Sequence, residues 1–553
     1  VKRRIERLLD GALASARQAG EIADESSSAA GTIEAPKERQ HGDLASNLAL
    51  GMARRERKSP RAIAEILVRH LEDPTRLIDA AEIAGPGFIN FRLSDRFWHE
   101  ELAGLLADPS LGVERFGAGR RVQVEFVSAN PTGPLTVGHG RNAVLGDTIA
   151  RLLEAVGCEV EREYYFNNAG RQMKVLGESV RARYLELAGR PAAFPEDGYQ
   201  GAYIAEIARA LFDEEGDRLV EEGVEPFRAR AEREIFAEIR RTQSRLGIEF
   251  DDYFNEDALY SSGAVDAVVA ELDRRGLISR REGAVWLIGE AVGLPKDRVL
   301  VKSSGEPAYR LPDIAYHQNK LARDFDELVD VLGADHIEVH REVLAALGAL
   351  GLPVSRVRPL IYQFVTLTRH GEQIKMSTRK AEYVTLDELI DEVGVDATRF
   401  FFLCRKSDSH LEFDLELAKK RSNDNPVFYV QYAHARINNL FAQARLQGHD
   451  PDRRPTSAAA LEPLRTAEEF DLIRALGTFG EVVRQAGAEL EPHRLVFFLQ
   501  ELAAALHRFY NRHRVLGDEE SGRVAARLAL LEAVQRVLRA GLGMLGVTAP
   551  ERM

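Results

Sequence analysis

The residues able to do chemistry are concentrated in two short segments. Asn130-Pro131-Thr132-Gly133-Pro134-Leu135-Thr136-Val137-Gly138-His139 brings a histidine, hydroxyls and glycines together, and Lys375-Met376-Ser377-Thr378-Arg379-Lys380 sets cations beside Ser and Thr. A Gly-rich turn between a strand and a helix presents backbone N–H groups and the positive helix end to an anion. Gly133 and Gly138 let a nucleotide lie close to the backbone. A polar loop carrying ammonium and guanidinium groups suits clamping a polyphosphate while its charge redistributes. Taken in this order, the two segments point to nucleotide activation.

Both segments need elements to position them. The first lies where the alternating run Val122-Gln123-Val124-Glu125-Phe126 gives way to a helical pattern carrying Ala143, Leu145, Ile149, Leu152, Leu153 and Val156. With a strand expected over Glu159–Phe166, this is a βαβ unit, which implies a parallel sheet with a right-handed crossover. Helical patterns over about 175–285 interrupt the sheet, which resumes at Leu300–Lys302, Leu328–Leu332 and Leu360–Leu367. Gly333-Ala334-Asp335-His336 follows the apolar strand Leu328–Leu332, at the end where ligands bind in such sheets.

The spacing predicts a multidomain α/β protein: an N-terminal α+β module (1–115), a doubly wound, Rossmann-like catalytic domain (116–390), a connecting segment (391–420) and an all-α helical bundle (421–553). In the first module, Ser59-Pro60 starts a helix whose stripe is Ile63, Ile66, Leu67 and Leu71. Gly87–Leu93 reads as a strand, and Ser94-Asp95 caps a helix carrying Phe97, Trp98 and Leu102. At 553 residues and 61.6 kDa the chain is too long for one core. Its 45% apolar and 29% charged residues are those of a globular protein, and no apolar run is long enough to span a membrane. Lys2-Arg3-Arg4-Ile5-Glu6-Arg7 reads as an amphipathic helix, not as a signal peptide. Cys158 and Cys404 offer neither a disulfide framework nor a metal cluster, so they are expected as buried fillers in a cytoplasmic protein.

A net charge of −13 argues against a nucleic-acid partner until it is read by region. Residues 421–553 carry 17 Arg, no Lys and 16 Asp plus Glu, a balance of +1, which leaves −14 for the rest. Lysines are rare, and eight of the twelve fall between Lys296 and Lys420, around the second segment. A compact ammonium on a flexible stem suits a loop that follows a moving phosphate; Lys419 and Lys420 read equally well as surface charge.

The paired segments resemble the two signature motifs of class I aminoacyl-tRNA synthetases, and their surroundings resemble the arginyl-tRNA synthetase branch. Further phrases of that branch are Gly42-Asp43-Leu44-Ala45-Ser46-Asn47, Pro312-Asp313-Ile314-Ala315-Tyr316-His317, Gln431-Tyr432-Ala433-His434-Ala435-Arg436 and Ala549-Pro550-Glu551-Arg552-Met553. The resemblance implies a ligase that forms arginyl-adenylate from ATP and then transfers arginine to the 2′-hydroxyl of the tRNA terminal adenosine. It also implies ATP with Mg2+ as the substrate complex, no protein-ligated metal, and a monomer. The family's connective insertion falls on the helical stretch at about 175–285, and its N-terminal domain meets the tRNA elbow.

Residue roles follow from the same resemblance. His139 is expected to stabilise charge on the α-phosphate. Thr136 stands where the family usually has another histidine; it can donate a hydrogen bond but carries no charge. Lys375 is expected on the departing pyrophosphate. Thr378 replaces the usual second lysine, with Arg379 or Lys380 as the replacement charge. Pro131, Gly133, Pro134, Gly138, Met376, Ser377 and Arg379 are expected around ATP. Gly333, Asp335 and His336 approach its ribose or the amino-acid head group, with their individual roles left open. Glu125 and Asp313 are expected to hold the guanidinium, whose planar fork matches carboxylate oxygens, with Tyr309 packed alongside and Asn130 on the α-amino or carboxylate end. A charge ending an apolar strand, as Glu125 does, needs a partner, and a cationic substrate would supply one. Tyr429, Tyr432 and Arg436, spaced i, i+3, i+7, are expected to stack on anticodon bases, with Tyr510 and Met553 at further tRNA contacts. Two competing readings are a class I synthetase for another amino acid and a catalytically impaired tRNA-binding paralogue. The Glu125 and Asp313 pair argues against a neutral substrate.

Overall fold

Five parallel strands form the centre of the computed structural model, which describes residues 2–23, 25–36, 38–374, 384–451, 455–517 and 522–553. Strand β1 (Arg121–Glu125) leads through helix α1 (Val137–Ala155) to β2 (Glu159–Phe166) and β3 (Asp252–Asn255). Helix α2 (Arg310–Leu321), β4 (Glu327–Gly333) and β5 (Val357–Tyr362) complete the unit. The spatial order is β5-β4-β1-β2-β3, parallel throughout. Strand order reverses between β1 and β4, so a crevice opens beyond Glu125 and Gly333 at their carboxyl ends. This is the doubly wound sheet that the spacing predicts.

Burial on both faces explains the composition of β1. Val122 and Val124 are buried, but so are Gln123 and Glu125. Glu125 lies in register with Glu163 of β2 on one side and Asp330 of β4 on the other. Neighbours in register point to the same face, so three carboxylates stand abreast in the sheet. Helix α2 lies over that row with Tyr316, His317 and Lys320. The opposite face is covered by α1, where a Cβ on Gly146 would lie 2.2 Å from the Phe126 ring. Only glycine lets the helix sit that close.

Two expected sheet elements fall differently, and so does the expected helical stretch. Residues 298–301 form a strand of a separate antiparallel sheet with 284–287 and 278–281, not of the parallel sheet. The run Leu360–Leu367 breaks in two: β5 ends at Tyr362, and Val365–Arg369 starts a third sheet with Glu372–Gln373 and Leu411–Asp414. The stretch at about 175–285 is not wholly helical, because it carries β3 at the edge of the central sheet. The segment 391–420 contains helix α3 (Val395–Leu403) and the strand Leu411–Asp414 that pairs with Val365–Arg369. Cys158 is buried and Cys404 half-buried.

The N-terminal module is a four-stranded antiparallel sheet packed against helices. Its signals act locally: Ser59 Oγ accepts from Ala62 N–H and Ser94 Oγ accepts from Phe97 N–H, each capping the helix that follows. The C-terminal part is helical, with α4 (Pro426–Leu446), α5 (His493–Arg512) and α6 (Arg523–Met544) among its members. Arg474 pairs with Asp43 at 2.9 Å, and Arg536 donates to the carbonyls of Leu106 and Asp108, so the first module packs directly on the bundle.

Candidate active site

The chain leaves β1 through Val127 and Ser128, both at positive φ, +66° and +43°. Such backbone is costly for residues with side chains and persists where the surroundings impose it. Here Asn142 of α1 imposes it: its Oδ1 accepts from Val127 N–H at 2.6 Å while its Nδ2 donates to the Val331 carbonyl at 2.9 Å. One side chain thus holds the ends of both strands that flank the crevice. A cleft of about 580 Å³ lies beyond them, walled by Asn130, Thr132–Pro134, Thr136 and His139 and by residues 196–201 and Tyr203 of the insertion. Tyr203 donates to the Thr132 carbonyl at 2.6 Å.

At the start of α1, Thr136 N–H donates to His139 Nδ1 at 3.1 Å. That nitrogen is therefore an acceptor, and the ring proton lies on Nε2. Burial pushes the His139 pKa down to about 4, so the ring is a neutral donor at physiological pH. Thr136 Oγ1 lies 3.2 Å from the same Nδ1. The threonine thus orients the histidine from the position where the resembling family usually has another histidine. Asn130 Nδ2 donates to Gln172 Oε1 at 2.7 Å. Pro131 is buried, and Gly133, Pro134 and Gly138 are half-buried along the turn. At the end of β4, Asp335 and His336 are both largely exposed, and a Cβ on Gly333 would fall 2.6 Å from Asp335 Oδ1.

Lys375, Met376, Ser377 and Arg379, with Thr378 and Lys380, lie outside the described residues. Their flanks are placed: Ile374 N–H donates to the Leu367 carbonyl at 2.9 Å, and Leu386 N–H donates to the Leu135 carbonyl at 2.8 Å. Thr385 bridges Thr136. Arg141, fully buried, donates to the carbonyls of Gln363, Lys406 and Ser409, tying α1 to the same region. Desolvation lowers its pKa to about 10.

The carboxylates sort themselves by partner. Glu125 does not wait for a substrate: Lys320 Nζ donates to its Oε2 at 2.8 Å and to Asp330 Oδ1 at 2.5 Å, and Ser128 Oγ donates to its Oε1 at 2.9 Å. The reason for expecting an external cation there is thereby removed. Glu163 takes Arg323 and the Tyr316 hydroxyl. Asp313, one turn before His317 on α2, has no side-chain donor among the described residues. Burial drives its carboxyl up to about 7; His317 pulls against this, while Glu125, Glu256 and Asp330 push with it. Tyr309, at the start of α2, is 72% exposed. Glu256, just after β3, is a buried carboxyl that the sequence reading missed; it accepts from Tyr260 Oη at 3.1 Å, and its pKa is raised by desolvation. Buried polar positions next to a short edge strand carry no periodic signal.

His317, Asp330 and His340 converge within 4.8 Å, the spacing of a metal site. Lys320 already answers Asp330 at Oδ1, and both histidine Nε2 atoms lie 3.0 Å from its Oδ2, so the carboxylate's charge and lone pairs are met without a metal.

On α4 the aromatic stripe forms as spaced. His507 of α5 lies 4.7 Å from the Tyr429 ring and 5.7 Å from Tyr432, and the Arg436 guanidinium sits 3.9 Å over Tyr510. All are half-buried except His507, which is buried. Met553 is half-exposed, at the end of a tail tied to α4 through Gln431 and His434.

A doubly wound parallel sheet with a glycine-rich turn at its switch point, and an insertion facing it, is the setting in which the match to class I aminoacyl-tRNA synthetases falls. The family model described as "tRNA synthetases class I (R), catalytic domain" matches residues 101–439. The model for the arginyl tRNA synthetase N terminal domain matches 3–93, and that for the DALR anticodon binding domain matches 430–553. The chain belongs to the arginyl-tRNA synthetase family. Arginine–tRNA ligases from Desulfotalea psychrophila and Salinibacter ruber are 50% and 49% identical to it, each over 94% of this chain and 94% and 95% of their own. The arginyl-tRNA synthetase structure from Thermus thermophilus superposes with a TM-score of 0.74 at 24% identity, covering all of both chains.

Proposed function

We propose that this chain charges tRNA with arginine in two steps, with its residues divided between a phosphate end and a guanidinium end of one crevice. The arginine carboxylate attacks the α-phosphate of ATP, carried in as its Mg2+ complex, and pyrophosphate leaves. The 2′-hydroxyl of the tRNA terminal adenosine then attacks the adenylate carbonyl and releases AMP. Positioning and electrostatic stabilisation carry both steps, with no covalent enzyme intermediate.

At the phosphate end, His139 Nε2–H donates to the α-phosphate oxygen as charge builds there, and Thr136 holds the ring in the donating tautomer. Pro131, Gly133, Pro134 and Gly138 line the approach of ATP, Asp335 and His336 meet its ribose or the amino-acid head group, and Lys375 with Arg379 accompanies the pyrophosphate. At the guanidinium end, Asp313 is the ion partner. The observation that carries this reading is that Asp313 alone of the carboxylates gathered around α2 lacks an internal cation or hydroxyl partner among the described residues, whereas Glu125, Glu163, Asp330 and Glu256 have theirs. A desolvated carboxylate without a partner is costly, and a guanidinium removes that cost. Glu125 acts behind it through Lys320, Glu256 faces it across β3, and Asn130 meets the polar end of the amino acid. Tyr309 packs alongside the bound guanidinium.

At the other end of the molecule, Tyr429, Tyr432, Arg436 and Tyr510 form a stacked platform for unpaired anticodon bases, and Met553 is a tRNA contact at the end of the tail. The protein works in the cytoplasm as a monomer; no helix of the described residues is long and apolar enough to cross a membrane. ATP–pyrophosphate exchange, run with tRNA present against each amino acid in turn, tests the assignment. Arginine alone should drive exchange. Exchange driven by another amino acid, or by none, would refute it.

A further inference from the structure

The row formed by Glu125, Glu163 and Asp330 can be balanced charge by charge. Lys320, fully buried, bridges Glu125 and Asp330, and Arg323 answers Glu163. His317 completes the set. Its Nδ1 lies 2.8 Å from the Asp313 carbonyl oxygen and its Nε2 lies 3.0 Å from Asp330 Oδ2. A carbonyl and a carboxylate both only accept, so each ring nitrogen must donate, and a ring that donates from both nitrogens is an imidazolium. Two cations, Lys320 and His317, then cancel Glu125 and Asp330. Asp313 is left over, four residues before His317 on the same face of α2.

We propose that His317 is a positioning residue of the arginine pocket, a buried imidazolium whose charge keeps the Asp313 carboxylate ionised and thereby sets the pH range in which arginine is bound. The inference rests on Asp313 being the guanidinium partner. The groups facing Asp313 are His317 on its own helix, Glu125 from β1, Glu256 from beyond β3 and Asp330 from β4, with Tyr165 and Tyr260 at the edge. Burial and the carboxylates favour the neutral acid, and His317 opposes them. Burial also works against the charge on His317 itself, but Asp330 outweighs it and raises the imidazole pKa. Asp330 is held well below the usual carboxylate range, against its burial, by Lys320 and then His317. Replacing the ring by a neutral donor leaves Asp330 with Lys320 and His340, at 2.5 and 3.0 Å, so the change falls on Asp313.

The full-length chain with His317→Gln tests this, with arginine affinity measured in the presence of tRNA from about pH 6 to about pH 9.5. Wild-type affinity should fall as pH drops through about 7, where Asp313 takes up a proton. In His317→Gln that midpoint should rise by about one pH unit or more, giving roughly tenfold weaker binding at neutral pH and recovery to within about twofold at the alkaline end. Citrulline, which carries no charge, should show neither effect. Equal weakening at every pH, or an unmoved midpoint, overturns the proposal. Asp313→Asn separates the two layers: wild-type arginine affinity in that variant sinks the pocket assignment itself, whereas a loss there beside an unmoved His317→Gln midpoint sinks only the role of His317. Should His317→Gln not fold, the wild type still decides, because 15N-labelled histidine must show one ring with both nitrogens protonated at about pH 8. A spectrum holding only neutral rings overturns the proposal.

Discussion

His139 should work as a neutral hydrogen-bond donor and not as a cation, and replacing it with Ala tests this. Thr136 N–H fills Nδ1 at 3.1 Å, so the single ring proton is on Nε2, and burial holds the pKa at about 4. The ring is then uncharged from about pH 5.5 to about pH 9, and its contribution is that of one preorganised donor to developing charge. Loss of such a donor costs about 10²–10³ in rate, roughly 2.7–4 kcal/mol. His139→Ala should therefore slow adenylate formation by that factor, with the KM values for ATP and arginine nearly unchanged, because the bond strengthens only in the transition state. His139→Gln, whose amide nitrogen reaches close to the Nε2 position, should recover part of the loss. The assay is single-turnover adenylate formation with tRNA bound, followed across pH. Two results would refute the reasoning: an ionisation near the ordinary histidine pKa that vanishes in His139→Gln, or a variant whose KM rises while its rate stays.

Asp313→Asn keeps the side-chain shape but removes the charge; truncating one partner of a desolvated charge pair costs about 2–5 kcal/mol, so arginine should bind at least about tenfold more weakly with ATP affinity unchanged, and citrulline should lose less. Equal losses for both amino acids, measured by equilibrium dialysis, would make Asp313 structural. Tyr432→Ala should weaken tRNA binding by roughly ten- to a hundredfold, since stacking on one base is worth about 1–3 kcal/mol, and leave tRNA-independent ATP binding intact; unchanged charging with a collapsed melting temperature would make the ring core. Arg399→Met should destabilise the chain by about 3–5 kcal/mol, because the fully buried guanidinium donates to Asp147 Oδ2 at 2.5 Å and to the carbonyls of Leu246 and Leu545 at 2.8 and 2.9 Å. A denaturation midpoint within error of wild type would contradict that.

Local chemistry made much of the fold legible in the sequence. Ser59 and Ser94 cap helices through atoms three residues away, and the turn from β1 into α1 is spelled out in consecutive residues. The aromatic stripe on α4 is a property of one helix. What could not be read depends on partners distant in sequence. Lys320 meets Glu125 across 195 residues, so the carboxylate that seemed to need a substrate already had its cation. Strand β3 has four residues, Asp252-Tyr253-Phe254-Asn255, at a sheet edge, too short to show an alternation. Glu256 and His317 gain their surroundings only when β1, β3, β4 and α2 assemble. The second motif lies outside the described residues, and only its flanks are placed, tied to Leu367 and Leu135.

Arg399 has a bearing on how this chain can be recombined. Its guanidinium reaches from α3 to Asp147 on the helix that begins at the first motif, to Leu246 at the end of an insertion helix, and to Leu545 beyond α6. Gly546 sits at φ +66°, and a Cβ there would fall 2.2 Å from Nη2 of Arg399. Asp396, one turn earlier on α3, holds Thr548 and Gln431. The last turn of the chain is thus threaded into its middle. A crossover between two homologous genes within residues 404–425 would take the tail from one parent and its socket from the other. Viable hybrids should be those in which the helix at 395–403 and the residues at 545–550 are inherited together, and the C-terminal bundle is then transferable only with the piece of the preceding half that grips it.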